Sequence, residues 1–166
     1  MAQRHLNAIE STSAGRLFDA VSAILGIQKR STFEGEASMA LEFAAEAWQK
    51  EHEVKNTENT KNAKNAENVK NTGNAPNAKN NENIDVKEQE HIFMQTNAIV
   101  WRMIEGRRQG EDVGKLAYEF HQLLAMEICA ACENVRTQKK CNQVALSGGV
   151  FQNRLLLELV EEELLN

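Results

Sequence analysis

From Asn56 to Asn80 an asparagine returns at every third position: Asn56, Asn59, Asn62, Asn65, Asn68, Asn71, Asn74, Asn77 and Asn80. A period of three fits neither the 3.6-residue repeat of an amphipathic helix nor the two-residue repeat of a strand. The intervening units, such as TEN, TKN, AKN and AEN, offer almost nothing apolar, and Gly73 and Pro76 interrupt them. Without apolar burial nothing offsets the chain entropy lost on ordering, so residues 53–86 are expected to be a disordered Asn-rich linker. An asparagine-stacked solenoid would need inward apolar positions that the tract does not have, and its interspersed Lys and Glu oppose aggregation. A repeat expansion tolerated in a surface loop, where added length costs little, fits best.

The tract divides the chain into an expected segment at 8–52 and another at 87–166. In the first, Ser11, Thr12 and Ser13 offer N-caps to a helix that carries Leu17, Phe18, Val21, Ile24 and Leu25 and stops at Gly26. After the loop STFEGEAS, a second helix presents Ala37, Ala40, Leu41, Ala44, Ala47 and Trp48 on one face. In the second segment Ile92, Phe93, Thr96, Ile99, Val100, Met103 and Ile104 predict a helix closed by Gly106. Asp112 opens a longer one along Val113, Leu116, Ala117, Phe120, Leu124, Ile128, Ala131 and Val135. The polar turn TQKKCN leads to a strand candidate, Gln143–Leu146, and Leu155, Leu156, Leu159 and Val160 mark a last helix. One short strand makes no sheet by itself. That strand, together with Glu158, Glu161, Glu162 and Glu163 near the unfavourable end of the last helix dipole, suggests a piece of a larger α/β protein.

Composition narrows the function. With 166 residues, 26% of them charged and 42% hydrophobic, the chain suits one soluble domain. A net charge of −5 disfavours non-specific binding to nucleic acid. No apolar run approaches the roughly 18 residues of a membrane span, and MAQRHLNAIE holds no signal-peptide core. The clustered cysteines Cys129, Cys132 and Cys141 read as reduced thiols rather than a disulfide framework. A cytoplasmic protein without membrane or nucleic-acid partners is expected.

The stretch VALSGGVFQN, residues 144–153, carries the most chemistry. Glycines between a strand candidate and a helix allow close backbone approach, and free N–H groups at a helix start favour an anion such as phosphate; the alternative is a plain tight turn. The stretch lacks the Gly-Lys-Ser/Thr of a Walker loop, the GxGxxG fingerprint and the GxSxG elbow. Asp19 is a carboxylate in an otherwise apolar helix stretch, suited to ribose hydroxyls or simply facing solvent. Cys129 and Cys132 have zinc spacing but lie within a helix with no second ligand pair, so buried thiols are the better reading. His121 reads as structural, no metal site is expected, and no nucleophile–base pair is evident.

Three segments, GRLFDAVSAILGI, FEGEASMALE and VALSGGVFQN, together with the Tyr118–His121 stretch, resemble in order the C-terminal domain of the hydrogenase maturation carbamoyltransferases of HypF type. The resemblance covers about residues 11–52 and 90–160. It implies an α/β fold class, here a predominantly helical fragment of an actin/sugar-kinase/heat-shock-ATPase-like domain. It also implies use of carbamoyl phosphate and ATP through a carbamoyl-adenylate. The carbamoyl group would pass to the C-terminal cysteine of a hydrogenase maturation partner protein, toward the cyanide ligand of a nickel–iron site. Carried over by position, Gly148 and Gly149 would contact phosphates, Asn153 would help position the nucleoside, Asp19 would bind the ribose and Gly15 would permit close approach. The family's metal ligands, a histidine pair and a downstream aspartate, have no counterparts among His5, His52, His91, His121 and the residues after Asn153. The remainder of the carbamoyltransferase would have to supply them, so the chain alone is expected not to catalyse the transfer. A catalytically incomplete or relic nucleotide-binding fragment, and a tRNA threonylcarbamoyladenosine synthase relative, are the alternatives.

Overall fold

The computed structural model describes residues 13–60 and 94–165. Their order is α1 (Ala14–Leu25), α2 (Glu36–Thr60), α3 (Thr96–Arg108), α4 (Val113–Lys139), a single 3₁₀ turn (Gly149–Gln152) and α5 (Arg154–Leu165). No strand forms among the described residues. Gln143–Leu146, the strand candidate, has no regular secondary structure, and Val144 is 49% exposed. A strand exists only through hydrogen bonds to a neighbour, and no neighbouring strand is present among the described residues. The described fold is therefore helical, and the expected strand is not formed in it.

Local signals set most helix ends. α1 closes in a Schellman arrangement: Gly26, at φ 79°, donates its N–H to Ala23 O at 3.1 Å, and Ile27 N–H reaches Ser22 O at 2.9 Å. Of the expected N-caps, Ser13 occupies the position, and Ser11 and Thr12 lie outside the described residues. Asp112 caps α4 by accepting from Lys115 N–H at 2.8 Å. α2 continues through residues 53–60, over the expected start of the linker, including Asn56 and Asn59. Extending a helix already anchored by packing costs far less than starting one. The rest of the asparagine tract lies outside the described residues.

α4 is the central element, with α2, α3 and α5 laid against it and α1 against α2 and α3. Their apolar stripes meet in one core around Phe18, Leu41, Met103, Phe120 and Leu156, all essentially inaccessible to solvent. Phe18 and Phe120 pack edge to face, with ring centroids 5.0 Å apart. The buried line of α2 is Ala37, Leu41 and Ala45, at a spacing of four, whereas Ala47 of the expected face is exposed.

Two glycines have roles that chain order did not disclose. Gly106 does not close α3; it lies buried inside the helix, and Gly110, at φ 78°, follows its end. A Cβ on Gly106 would come within 2.5 Å of both Leu116 Cδ2 and Arg102 Nη1. Arg102 is itself held from α3 by Glu111, at 2.8 and 3.0 Å, and by Glu119 of α4, at 2.7 Å twice. Arg102 draws the Glu111 carboxyl down to about 2, with Lys115 adding to the effect. Gly114 sits where α4 crosses α2, and a Cβ there would stand 2.9 Å from Trp48 Cβ and 3.1 Å from Ala44 O. Those atoms are backbone or fixed to it, so the helices themselves would have to part. Gly114→Ala should lower stability by about 1–3 kcal/mol despite alanine's better helix propensity. Urea unfolding of the variant beside wild type checks this, and an unchanged midpoint would refute the close crossing.

Candidate functional site

α1, α2, the loop between them and the Gly149 turn line a cleft of about 1160 Å³. Four of the five residues singled out in the sequence line it: Gly15 and Asp19 from α1, Gly149 from the turn, and Asn153 at the start of α5. These residues are up to 138 positions apart in the chain (from Gly15 to Asn153) and come together because α5 packs on α4 and α1 on the α2 and α3 that flank it. Gly148 lies just outside the lining. Its φ of 98° belongs to the left-handed half of backbone space, where a side chain would be strained, so a glycine is required for the turn itself. Gly149 is free of that constraint; a Cβ there meets nothing within 4 Å.

The donors of this corner divide into two sets. Within the 3₁₀ turn, Phe151 N–H donates to Gly148 O and Asn153 N–H to Val150 O, each at 3.2 Å. The N–H groups of Gly149 and Val150 stand before the first of these bonds and have no acceptor among the described residues. The start of α5 is different. Arg154 N–H and Leu155 N–H donate to Glu42 Oε1 at 2.7 and 3.4 Å, and Leu156 N–H donates to Asn153 Oδ1 at 2.8 Å. The donors at the start of α5 are thus already occupied by protein groups, and the open ones are those directly after the glycines. Any anion held here must be met by the turn that precedes α5.

Asn153 joins two helices. Its Nδ2 donates to His121 Nε2 at 3.0 Å, and His121 Nδ1 donates in turn to Ala117 O at 2.7 Å. This order fixes the imidazole as the neutral Nδ1–H tautomer. Burial pulls the His121 pKa down to about 4, against smaller opposing effects from the Ala117 carbonyl and the Glu46 charge. The structural reading of His121 holds: both ring nitrogens are engaged inside the core. Asn153 keeps one N–H and one lone pair uncommitted, at 7% exposure.

Glu42 was missed by sequence reading. It follows the core residue Leu41 in MALEF, yet it is 9% exposed and lines the cleft with one oxygen on α5. The signal available was a carboxylate next to a core position on a helix; nothing local named its partner, which lies more than 110 residues away. Asp19 is half-buried on the α1 wall. Arg16, exposed, is the cationic side chain of the lining, against the carboxylates of Asp19, Glu34 and Glu42.

A metal has no seat among the described residues. No three His, Cys, Asp or Glu side chains there come together in a way that could hold one, and His121 has no free nitrogen to give. The thiols of Cys129, Cys132 and Cys141 are free and border a separate groove at the far end of α4. Cys129 and Cys132 are half-buried rather than buried, and burial with nearby Cys132 and Glu163 pushes the Cys129 thiol up, away from the ligating thiolate. No described helix is long and apolar enough to cross a membrane.

The family described as "Carbamoyltransferase, Kae1-like Domain, second subdomain" matches residues 1–166. The probable carbamoyltransferase HypF of Methanocaldococcus jannaschii is 24% identical over 158 residues, which cover 95% of this chain and 17% of that protein. The carbamoyltransferase HypF of Rhodobacter capsulatus is 56% identical over 46 residues, 27% of this chain and 6% of that protein. The carbamoyltransferase HypF2 of Cupriavidus necator is 50% identical over 48 residues, 29% of this chain and 6% of that protein. No solved structure matches. The chain therefore spans a small part of the length of the relatives it matches. With the family matched from the first residue to the last, this chain belongs to the second subdomain of the Kae1-like domain of the HypF-type carbamoyltransferases.

Proposed function

We propose that the chain supplies the nucleotide-binding part of a carbamoyltransferase. That enzyme would use carbamoyl phosphate and ATP, through a carbamoyl-adenylate, to carbamoylate the C-terminal cysteine of a hydrogenase maturation partner. The observation that carries this reading is the convergence of Gly15, Asp19, Gly149 and Asn153 on one cleft. In it the open N–H groups of Gly149 and Val150 suit phosphate oxygens. Asp19 suits ribose hydroxyls, and Gly15 leaves room at the α1 end. The chain's own contribution is binding and orientation. The metal and the groups that perform the transfer belong, on this reading, to the remainder of the carbamoyltransferase. The larger unit is an actin/sugar-kinase/heat-shock-ATPase-like domain, whose sheet would provide neighbours for Gln143–Leu146.

Calorimetric titration with Mg-ATP tests the proposal. Wild type should bind saturably. Gly149→Asp should abolish binding while folding normally, since its side chain enters open space but sets a carboxylate against the phosphates. Asp19→Ala should weaken binding about tenfold or more by removing a charge-assisted acceptor. A folded wild type that does not bind Mg-ATP would reject the nucleotide reading.

A further inference from the structure

All three cysteines of the chain border one groove of about 960 Å³ at the far end of α4, apart from the Gly149 cleft. Met126, Cys129, Cys132 and Val135, spaced by three, turn one face of α4 into it. α4 ends at Lys140, whose φ of 53° redirects the chain, and residues 141–144 then line the same groove. The three thiols are not equivalent. Cys129 Sγ donates to Val160 O of α5 at 3.8 Å, and burial, with Cys132 and Glu163 nearby, pushes its thiol up. A protonated, engaged thiol is a poor nucleophile. Cys141 is exposed, and its Sγ donates within its own segment, to Gln143 O at 3.7 Å. Residues 141–145 are exposed and have no regular secondary structure, so neither a helix nor a sheet ladder fixes the backbone there. Lys139 and Lys140, both exposed, precede Cys141 and favour the approach of an anionic reagent. Cys132 is half-buried on α4. It cannot pair with Cys129, because Cβ atoms three residues apart on a helix stand about 5–6 Å from each other. A disulfide needs them within roughly 3.5–4.5 Å.

We propose that this groove is a redox-modification site in which Cys141 is the attacking thiol and Cys132 the resolving one, with a small anionic disulfide of the glutathione type as co-substrate. Cys141, as its thiolate, attacks one sulfur of that disulfide. The S–S bond breaks, and the other half leaves as a thiolate that takes up a proton. The Cys132 thiolate then attacks Cys141 Sγ in the mixed disulfide and expels the second half. Two protein thiols lose two electrons and two protons, and the small disulfide becomes two thiols. An accessible attacking thiol with a sheltered resolving thiol beside it is the arrangement such chemistry uses. The closed bond ties to α4 the stretch that leads into the Gly148 turn. The site stands whether or not the cleft takes a nucleotide.

Incubation of the full, reduced chain with glutathione disulfide, followed by intact mass, thiol counting and peptide mapping, tests it. Wild type should lose two hydrogens, keep one free thiol of its three, that of Cys129, and show a 132–141 cross-link that dithiothreitol reverses. Cys141→Ser should react about tenfold more slowly or less and form no cross-link. Cys132→Ser should stop at one glutathione adduct on Cys141, and Cys129→Ala should cross-link as wild type does. Each serine variant changes a single atom, and matching helical circular dichroism separates lost chemistry from lost folding. A glutathione adduct that persists on wild type would overturn the proposal. So would a cross-link through Cys129, a disulfide between two copies of the chain, or no reaction at all.

Discussion

Asn153→Ala should lower the stability of the chain by about 2–4 kcal/mol, measured as a shift of the urea unfolding midpoint at neutral pH. Two losses combine. The α5 cap from Oδ1 to Leu156 N–H, at 2.8 Å, disappears, which costs about 1 kcal/mol at a typical N-cap. The Nε2 of His121, wholly buried, then loses its one donor among the described residues, and an unsatisfied buried group costs about 1–3 kcal/mol. Asn153→Asp separates the two. It keeps the cap, and it offers a carboxylate where the imidazole also presents an acceptor, so His121 must flip its tautomer or take up a proton. The Asp variant should therefore recover about 1 kcal/mol of the loss and respond to acid in the opposite sense from wild type. Equal stability of wild type and Asn153→Ala would show that the His121–Asn153 contact contributes nothing.

Acid should destabilise the wild type through the same histidine. His121 titrates at about 4 in the folded chain against an ordinary 6.5, so between those values the unfolded chain binds a proton that the folded one refuses. Stability therefore rises with pH across that window and falls as pH drops through it. The full stabilisation is present above about 6.5 and is lost by about 4. The shift corresponds to a loss on the order of 3 kcal/mol over the whole interval. The physical event is the same broken contact: a protonated Nε2 can no longer accept from Asn153, and a charge is created in the core beside Phe18 and Phe120. Unfolding measured at pH 7, 6, 5 and 4.5 on wild type and His121→Leu gives the test. The leucine variant should start less stable, because Asn153 Nδ2 loses its acceptor, and should show a flatter pH dependence over this range. Parallel curves for the two proteins would place the acid sensitivity elsewhere.

The site was half legible before the fold was known. Gly15, Asp19, Gly149 and Asn153 were picked out from short stretches, and they line one cleft. Their resemblance-derived roles remain the subject of the titrations above. Glu42 was invisible for a physical reason: its two N–H partners are on a helix more than 110 residues downstream, and no local periodicity encodes such a bond. The joint capping of α5 by Glu42 and Asn153 could not be read locally for the same reason.

What the sequence determined by itself was local. The Schellman end at Gly26, the Asp112 cap and the apolar stripes of α1, α4 and α5 all depend on residues within about five positions of one another, and each could be read directly. Tertiary structure decided everything that needs two distant elements to meet. It made Gly106 a packing position instead of a helix stop and Gly114 the crossing point of α2 and α4. It left Gln143–Leu146 without a strand partner among the described residues, because a strand is a property of a pair and not of a segment. It also joined Glu42, Asn153 and His121 around the first turn of α5. Helix formation is settled over a few residues by dihedral preference and capping, whereas buried polar groups are satisfied by whatever the packed core brings within 3 Å, and that distance is set by the fold.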